Sequence, residues 1–235
     1  MLIDPNELAN NPTRLEEIEK TSLRLITQGI YDYRDTAVEI FREEGDLVAD
    51  IGEDITREAL DRLGMPRIDQ RLFGKVDYKR ACYLFHPDYA IKQALFVDSK
   101  AEKDALTATL QISQFSMMVR QLRSQQLVSQ PGKLPTVLVL RGEHYITTTI
   151  FVKYHYDDTS RGRELRSIII AAVPNGMLQE KYNPDANTTI WIAGRNAPTL
   201  GEEFRVRLSF KRLKEMARWR VQEVPLAPIP FMWDQ

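Results

Sequence analysis

Asp98-Ser99-Lys100 closes the apolar run Ala94-Leu95-Phe96-Val97, and a second acid, Asp77, stands 21 residues upstream in Val76-Asp77-Tyr78. Residues two apart on a strand project to one face, so Asp98 and Lys100 point together while Ser99 points away. Carboxylates from two neighbouring strands, with the Ser99 backbone carbonyl, supply the hard oxygen ligands that a divalent cation prefers. Such a cation polarises a phosphodiester and lowers the pKa of a bound water. Lys100 can position or help deprotonate that water and offset charge on a phosphorane-like transition state. The combination suits metal-dependent phosphodiester hydrolysis.

The triplet itself is short, and Asp77-Tyr78-Lys79 repeats the Asp-x-Lys pattern. A structural ion pair, or simply the first polar residues after a strand, fits the triplet alone as well. What distinguishes Asp98 and Lys100 is their place at the end of a buried-looking strand, where charge is costly unless paired or metal-bound. A third acid could assist from a nearby helix. Glu53 and Glu58 are the candidates, with a solvated helix position as the alternative for each. Arg195, Arg205 and Arg207 form a second constellation. Arg205 and Arg207 share a strand face, and guanidinium forks can read guanine edges or clamp phosphates. Equally, arginines on an alternating strand can mark its wet face.

The elements that must hold these residues are legible in outline. Thr13-Arg14-Leu15-Glu16 reads as a capping box that opens a helix carrying Leu15, Ile18, Ser22, Leu25 and Ile26 at helical spacing. Asp35 is expected to cap a second helix with Ala37, Ile40 and Phe41 on its apolar face. A third should start near Asp54 and stop at Leu63-Gly64-Met65-Pro66. Phe73–Leu84 is strand-like, and Ala90–Lys100 is the clearest strand. Residues 102–126 carry few strand formers, and Leu106, Leu110, Met117 and Leu122 suggest a long helix. Its other face would hold Gln111, Gln114, Gln121, Gln125 and Gln126, solvated or available to DNA. Gln130-Pro131-Gly132-Lys133 is a turn, and strands should follow at Thr136–Leu140, Thr147–Tyr156 and Leu165–Val173. Pro174–Gly201 is loop-rich around the short run Thr189-Ile190-Trp191-Ile192. Phe204–Phe210 alternates apolar and polar side chains, a helix from Lys211 to about Trp219 follows, and the proline-rich tail is extended. The pattern is α/β with mixed strands, and no linker divides residues 1–235.

Composition narrows the setting. The 235 residues are 43% hydrophobic and 28% charged, ordinary for a soluble globular protein. No apolar run approaches the roughly 18 residues needed to span a bilayer, and Met1-Leu2-Ile3-Asp4-Pro5 lacks a secretion signal. One cysteine, Cys82, excludes an internal disulfide framework, and three scattered histidines give no familiar zinc spacing. A cytoplasmic protein is expected. Net charge is only −1, but residues 1–70 hold 17 acidic and 8 basic side chains against 16 and 24 in the remainder. A basic C-terminal two-thirds fits a nucleic-acid footprint, or incidental surface variation.

Several further segments run in order along the chain: Glu53-Asp54-Ile55-Thr56, Val76-Asp77-Tyr78-Lys79-Arg80, Val97-Asp98-Ser99-Lys100-Ala101, Leu110-Gln111 with Ser113-Gln114, Arg163-Glu164-Leu165-Arg166-Ser167-Ile168, Lys181-Tyr182-Asn183-Pro184-Asp185 and Arg212-Leu213-Lys214-Glu215. On these the chain resembles the SfiI family of restriction endonucleases, within the PD-(D/E)xK nuclease superfamily, from the first helix to near residue 223. The resemblance implies a restriction-endonuclease-like central mixed β-sheet flanked by α-helices, with N-terminal helices over about 12–64 packed on a single catalytic domain. It implies Mg2+ as cofactor, double-stranded DNA as partner, and a homodimer or homotetramer. Asp77, Asp98 and Lys100 match the family's metal-binding acids and catalytic lysine, and Arg195, Arg205 and Arg207 match basic positions that contact bases. Ala105 and Thr107 stand where basic recognition side chains are expected, so part of the target sequence should differ. Val76 replaces the superfamily's proline, while the acid beside it is kept.

The expected function is that of a type II restriction endonuclease of a bacterium or archaeon. It would make double-strand breaks at a specific palindromic site, continuous or interrupted. Two other classes remain open: a catalytically silent DNA-binding protein on the same scaffold, and a structure-selective repair or recombination nuclease. A silent descendant would have no catalytic need for Asp77, Asp98 and Lys100 together.

Overall fold

The computed structural model describes residues 2–43, 48–66, 81–160, 162–192, 204–227 and 229–235. After a 3-10 turn over Pro5–Asn10, helix α1 (Pro12–Glu43) runs 32 residues. Its cap is Asn11, whose side chain accepts from the Arg14 N–H at 3.2 Å, with Pro12 at the first helical position where no N–H is needed. The expected Thr13 capping box therefore does not form, and Glu16 is used in tertiary contacts instead. Nor does a second helix begin at Asp35, because α1 continues through it. Gly29 within α1 does not break it. A Cβ there would come within 2.9 Å of Leu63 Cδ1, so the glycine marks the close approach of the next helix. That helix, α2 (Val48–Asp61), begins earlier than the expected Asp54, and Gly64 follows it at φ +66°.

The sheet elements come next. β1 (Ala81–His86) and β2 (Ile91–Glu102) form an antiparallel pair. The strand expected over Ala90–Lys100 is thus present, whereas residues 73–80 of the expected Phe73–Leu84 strand lie outside the described residues. The long helix expected over 102–126 is absent. Those residues make β3 (Thr107–Gln111), a 3-10 turn over Ile112–Gln114 and β4 (Met118–Arg123), which pairs with β5 (Gln126–Pro131). Thr107, Thr109 and Val119 suit strands, and cross-strand pairing decided against the helical spacing of the leucines. Ser124 and Gln125, both at positive φ, make the two-residue turn whose twist suits this hairpin.

β6 (Val137–Leu140), β7 (Glu143–Thr159) and β8 (Gly162–Val173) follow close to expectation. Then come short α3 (Gln179–Tyr182), β9 (Trp191–Ile192), β10 (Arg205–Ser209), α4 (Phe210–Met216) and β11 (Val221–Val224). α4 is shorter than the expected helix to Trp219. The Ser209 hydroxyl caps it, and a separate 3-10 turn covers Arg218–Arg220.

The larger sheet runs β1-β2-β7-β8-β11, with β6 also paired to β7. β2 and β7 are parallel from Gln93 opposite Ile146 to Glu102 opposite His155, and the other pairs are antiparallel. The result is a mixed α/β architecture. One sheet face, with Leu95, Val97, Ile150, Val152 and Ile170, is covered by α1 and α2. The opposite face, with Phe151, Ala171 and Val173, packs against a small sheet ordered β3-β10-β9 through Leu110, Trp191 and Leu208. Burying aliphatic and aromatic side chains on both faces stabilises each by about 1.5–3 kcal/mol per residue.

Polar pins fix these layers. Fully buried Gln93 on β2 donates to Ser22 of α1 at 2.8 Å and to Thr148 of β7 at 2.6 Å. Fully buried Arg220 lies 2.6 Å from the equally buried Glu19 of α1, donates to the Ala172 carbonyl of β8, and is flanked by the Tyr182 and Trp219 rings at 4.4 Å. Burial opposes its charge, but Glu19 and Tyr182 more than offset that and hold its pKa above the ordinary arginine value. Glu19 in turn accepts from the Asn175 N–H at 2.8 Å. Removing one partner of such a pair leaves a buried charge uncompensated. Arg220→Met is therefore expected to cost about 3–5 kcal/mol in urea unfolding at neutral pH, with much of the loss recovered in Arg220→Met/Glu19→Leu. A loss too small to measure would show that the pair does not hold α1 to the sheet.

Candidate active site

β2 carries the site because its alternation sorts charges from greasy side chains. Leu95 and Val97 point into the α1–α2 core, and Ser99, buried, shares that side with Ala101. Asp98 and Lys100 project to the other face, where β3 crosses. The Lys100 ammonium lies 3.5 Å from Asp98 Oδ2, and both side chains are about a quarter exposed, at 28% and 22%. Lys100 Nζ also donates to the Thr109 carbonyl of β3 at 2.5 Å. On the other carboxylate oxygen, Gln114 Nε2 donates to Asp98 Oδ1 at 2.7 Å. The acid is thus held between a cation on its own strand and a neutral amide from the 3-10 turn.

Lys153 of β7 stands opposite Lys100 in the parallel ladder. It is fully buried, lies 2.8 Å from Glu102 Oε2, and donates to the Thr107 carbonyl. Two neighbouring lysines therefore reach across to alternate carbonyls of β3. Thr107 in turn donates to Asp104 at 2.5 Å, and the Leu106 N–H donates to the same carboxylate at 2.9 Å. Burial works to raise the Asp104 pKa, but these bonds and the Lys153 and Arg207 charges hold it below the ordinary carboxylate value.

β3 is the strand on which β10 is laid. Arg205 pairs in register with Gln111 and Arg207 with Thr109, the same residue whose carbonyl Lys100 holds. Both arginines are half-buried, while Val206 and Leu208 between and beyond them are buried, as the alternation requires. Arg123 of β4 donates to the Arg205 carbonyl at 2.8 Å and its guanidinium lies 4.4 Å from the Phe204 ring, so the β4–β5 hairpin braces this strand. α2 approaches β2 from the opposite face. A Cβ on Gly52 would come within 3.3 Å of the Ala101 nitrogen, so the glycine allows the helix to pass close by Lys100's neighbour. Glu53, next on that helix, is half-buried. Glu58 instead accepts from the Tyr33 hydroxyl at 2.5 Å, a contact between helices.

The structure therefore brings together Asp98 and Lys100, and connects them through β3 to Arg205 and Arg207. Asp77 and Arg195 lie outside the described residues. Among the described residues no three His, Cys, Asp or Glu side chains gather into a metal-binding group. Of the hard-oxygen donor set expected from sequence, Asp98 and the Ser99 carbonyl are the part that lies among the described residues. Sequence reasoning missed Lys153, and it named Gln114 without the contact to Asp98. That contact was hidden by the helix expected over 102–126. Lys153 did leave a signal, since it is a lone lysine within the strongly apolar run Ile150-Phe151-Val152 and Tyr154, where a charge needs a partner.

Known proteins resemble this chain in sequence and in fold. The family model "Type II restriction enzyme SfiI" matches residues 27–224. The type II restriction enzyme SfiI of Streptomyces fimbriatus is 36% identical over 226 residues, which span 89% of this chain and 84% of that one. Among solved structures, tetrameric SfiI bound to cognate DNA superposes with a TM-score of 0.80 at 34% identity, covering 95% of this chain and 88% of the other. The restriction endonuclease BglI bound to its recognition sequence shares the fold, with a TM-score of 0.75 at 18% identity over 94% of each chain. The chain belongs to the SfiI family of type II restriction enzymes, site-specific deoxyribonucleases that cleave DNA.

Proposed function

We propose that this protein makes Mg2+-dependent double-strand breaks at a specific palindromic DNA site, continuous or interrupted. The observation that carries this reading is the pairing of Asp98 and Lys100 on one face of β2, 3.5 Å apart, against β3, the strand to which the arginine-bearing β10 is paired. The donor chemistry fits a hard divalent cation: a carboxylate oriented by a neutral amide, next to a backbone carbonyl, with no soft ligand among these groups. Asp77, Asp98 and the Ser99 carbonyl would hold the ion, with Glu53 on α2 the candidate for a further acid. When bound, Mg2+ supplies Lewis-acid polarisation of the scissile phosphate and a more acidic water.

The remaining steps belong to the chain. Lys100 exchanges its contact with the Thr109 carbonyl for the attacking water or the phosphate, and offsets negative charge as it develops. Arg205 and Arg207 on β10, together with Arg195, reach base edges or phosphates. Double-strand cleavage needs two such sites, which a homodimer or homotetramer on double-stranded DNA provides by matching its two-fold axes to a palindrome. The tetrameric, DNA-bound state of the SfiI relative supports the larger assembly. The whole chain, with α1 and α2 packed on the sheet, acts as one catalytic unit in the cytoplasm. No described helix is long and apolar enough to cross a membrane.

Digestion of a sequenced phage DNA tests the reading. Discrete fragments are expected with Mg2+ and none with EDTA, and mapping the ends reports whether the site is palindromic. A folded protein that leaves such DNA intact points instead to a silent binder or a junction-selective nuclease. Asp98→Ala is expected to abolish cleavage while retaining DNA binding in Ca2+. Loss of folding in that variant, seen by circular dichroism, would make Asp98 structural. Arg207→Ala is expected to weaken discrimination among sites by about 1–3 kcal/mol, the usual worth of a bidentate base contact. Unchanged discrimination in competition binding would remove Arg207 from the readout.

A further inference from the structure

We propose that Gln114 is a positioning residue for the metal-binding acid: its side-chain amide fixes the Asp98 carboxylate in the orientation that receives the divalent cation. The inference rests on the reading of Asp98 as a ligand, and deepens it. Gln114 Nε2 donates to Asp98 Oδ1 at 2.7 Å, and Gln114 Oε1 accepts from the Gln111 N–H at 2.7 Å. A backbone N–H can only donate and a carboxylate only accepts, so both partners demand the same amide orientation. The main chain at this point is held as well, because the Thr149 hydroxyl of β7 donates to the Gln114 carbonyl at 2.8 Å. The amide is thus anchored at both ends before it meets the acid.

The residue type matters as much as the geometry. A carboxylate gripped at Oδ1 by an anchored amide cannot turn freely, and its Oδ2 is kept on the Lys100 side, 3.5 Å from that ammonium. A lysine or arginine in place of Gln114 would fix the carboxylate equally well but add a positive charge beside an incoming cation. A neutral donor orients the acid while leaving its charge for the metal. Hydrogen-bond partners of metal ligands act in this way, and their removal typically weakens metal affinity or activity by about 10–100-fold.

The test is Gln114→Met, which keeps the side-chain length and removes both amide contacts. The Mg2+ concentration for half-maximal cleavage and the Ca2+ concentration for half-maximal tight DNA binding should each rise about tenfold or more. The cleavage rate at saturating Mg2+ should fall much less. A role in folding alone would lower the unfolding temperature and the active fraction without moving either metal midpoint. Midpoints that stay within about twofold of the wild type in a folded variant would overturn the proposal. If Gln114→Met does not fold, Thr149→Val decides by the same two midpoints, since it loosens the Gln114 anchor and leaves the amide in place. A shift in the same direction is expected, and none would sink the idea. Asp98→Ala run alongside separates the two readings. If it leaves cleavage intact, Asp98 is not a ligand and the broader reading fails. If it abolishes cleavage while Gln114→Met moves neither metal midpoint, only the positioning role fails.

Discussion

Charge between two sheets is the constraint on which the rest of this molecule depends. Lys100 and Lys153 sit opposite one another on parallel strands, on a face that Phe151 and its neighbours make apolar. A buried ammonium such as that of Lys153 must be paired and hydrogen-bonded, because isolated burial of charge is costly, and the partly exposed Lys100 is held in the same way. Both lysines bond to the same element, through the carbonyls of Thr107 and Thr109 on β3, with Glu102 and Asp98 supplying the counter-charge. The small sheet is therefore attached to the large one in part by Lys100, the partner of Asp98 in the candidate site.

The attachment orders what can do chemistry and what can read DNA. β3 pairs with β10, so Thr109, whose carbonyl holds Lys100, is the register partner of Arg207. Gln111, whose N–H anchors Gln114, is likewise the register partner of Arg205. Two short chains of contacts thus run from the arginine-bearing strand to Asp98 and Lys100 of β2. In a family whose members cut at particular sequences, such a layout couples the position of the arginine-bearing strand to the orientation of Asp98 and Lys100. Rigid strands hold both, which suits an arrangement that has to be kept within a fraction of an ångström.

The helical layer has a different task. α1 and α2 cover the opposite sheet face, and their apolar stripes explain why the acidic N-terminal segment is folded rather than a solvated tail. The Glu19–Arg220 pair and the Gln93 hydrogen bonds tie that layer to β8, β2 and β7. Gly52 lets α2 pass close to Ala101, just beyond Lys100, so the same helix that closes the core also carries Glu53 past the end of the reactive strand.

By itself the sequence determined the α/β class, the strands that became β2, β7, β8 and β10, and the pairing of Asp98 with Lys100 on one strand face. The strands follow from runs of β-branched and aromatic residues, and the two-residue repeat of a strand then sets which side chains share a face. A local stretch carries both in full. The ordered motif segments identified the family as well. Only the tertiary structure decided what lies between residues 102 and 126. There the leucine spacing read as a helix, while pairing of β3 with β10 and of β4 with β5 made strands of it. That misreading concealed Gln114, because its meaning lies in a bond to a residue 16 positions away. The unbroken run of α1 past Asp35 was also a matter of packing, since Ala37 and Phe41 continue its buried face against the sheet and α2. Local pattern fixes which face a side chain occupies, but which other face it meets is a long-range fact, and the site is made of such meetings.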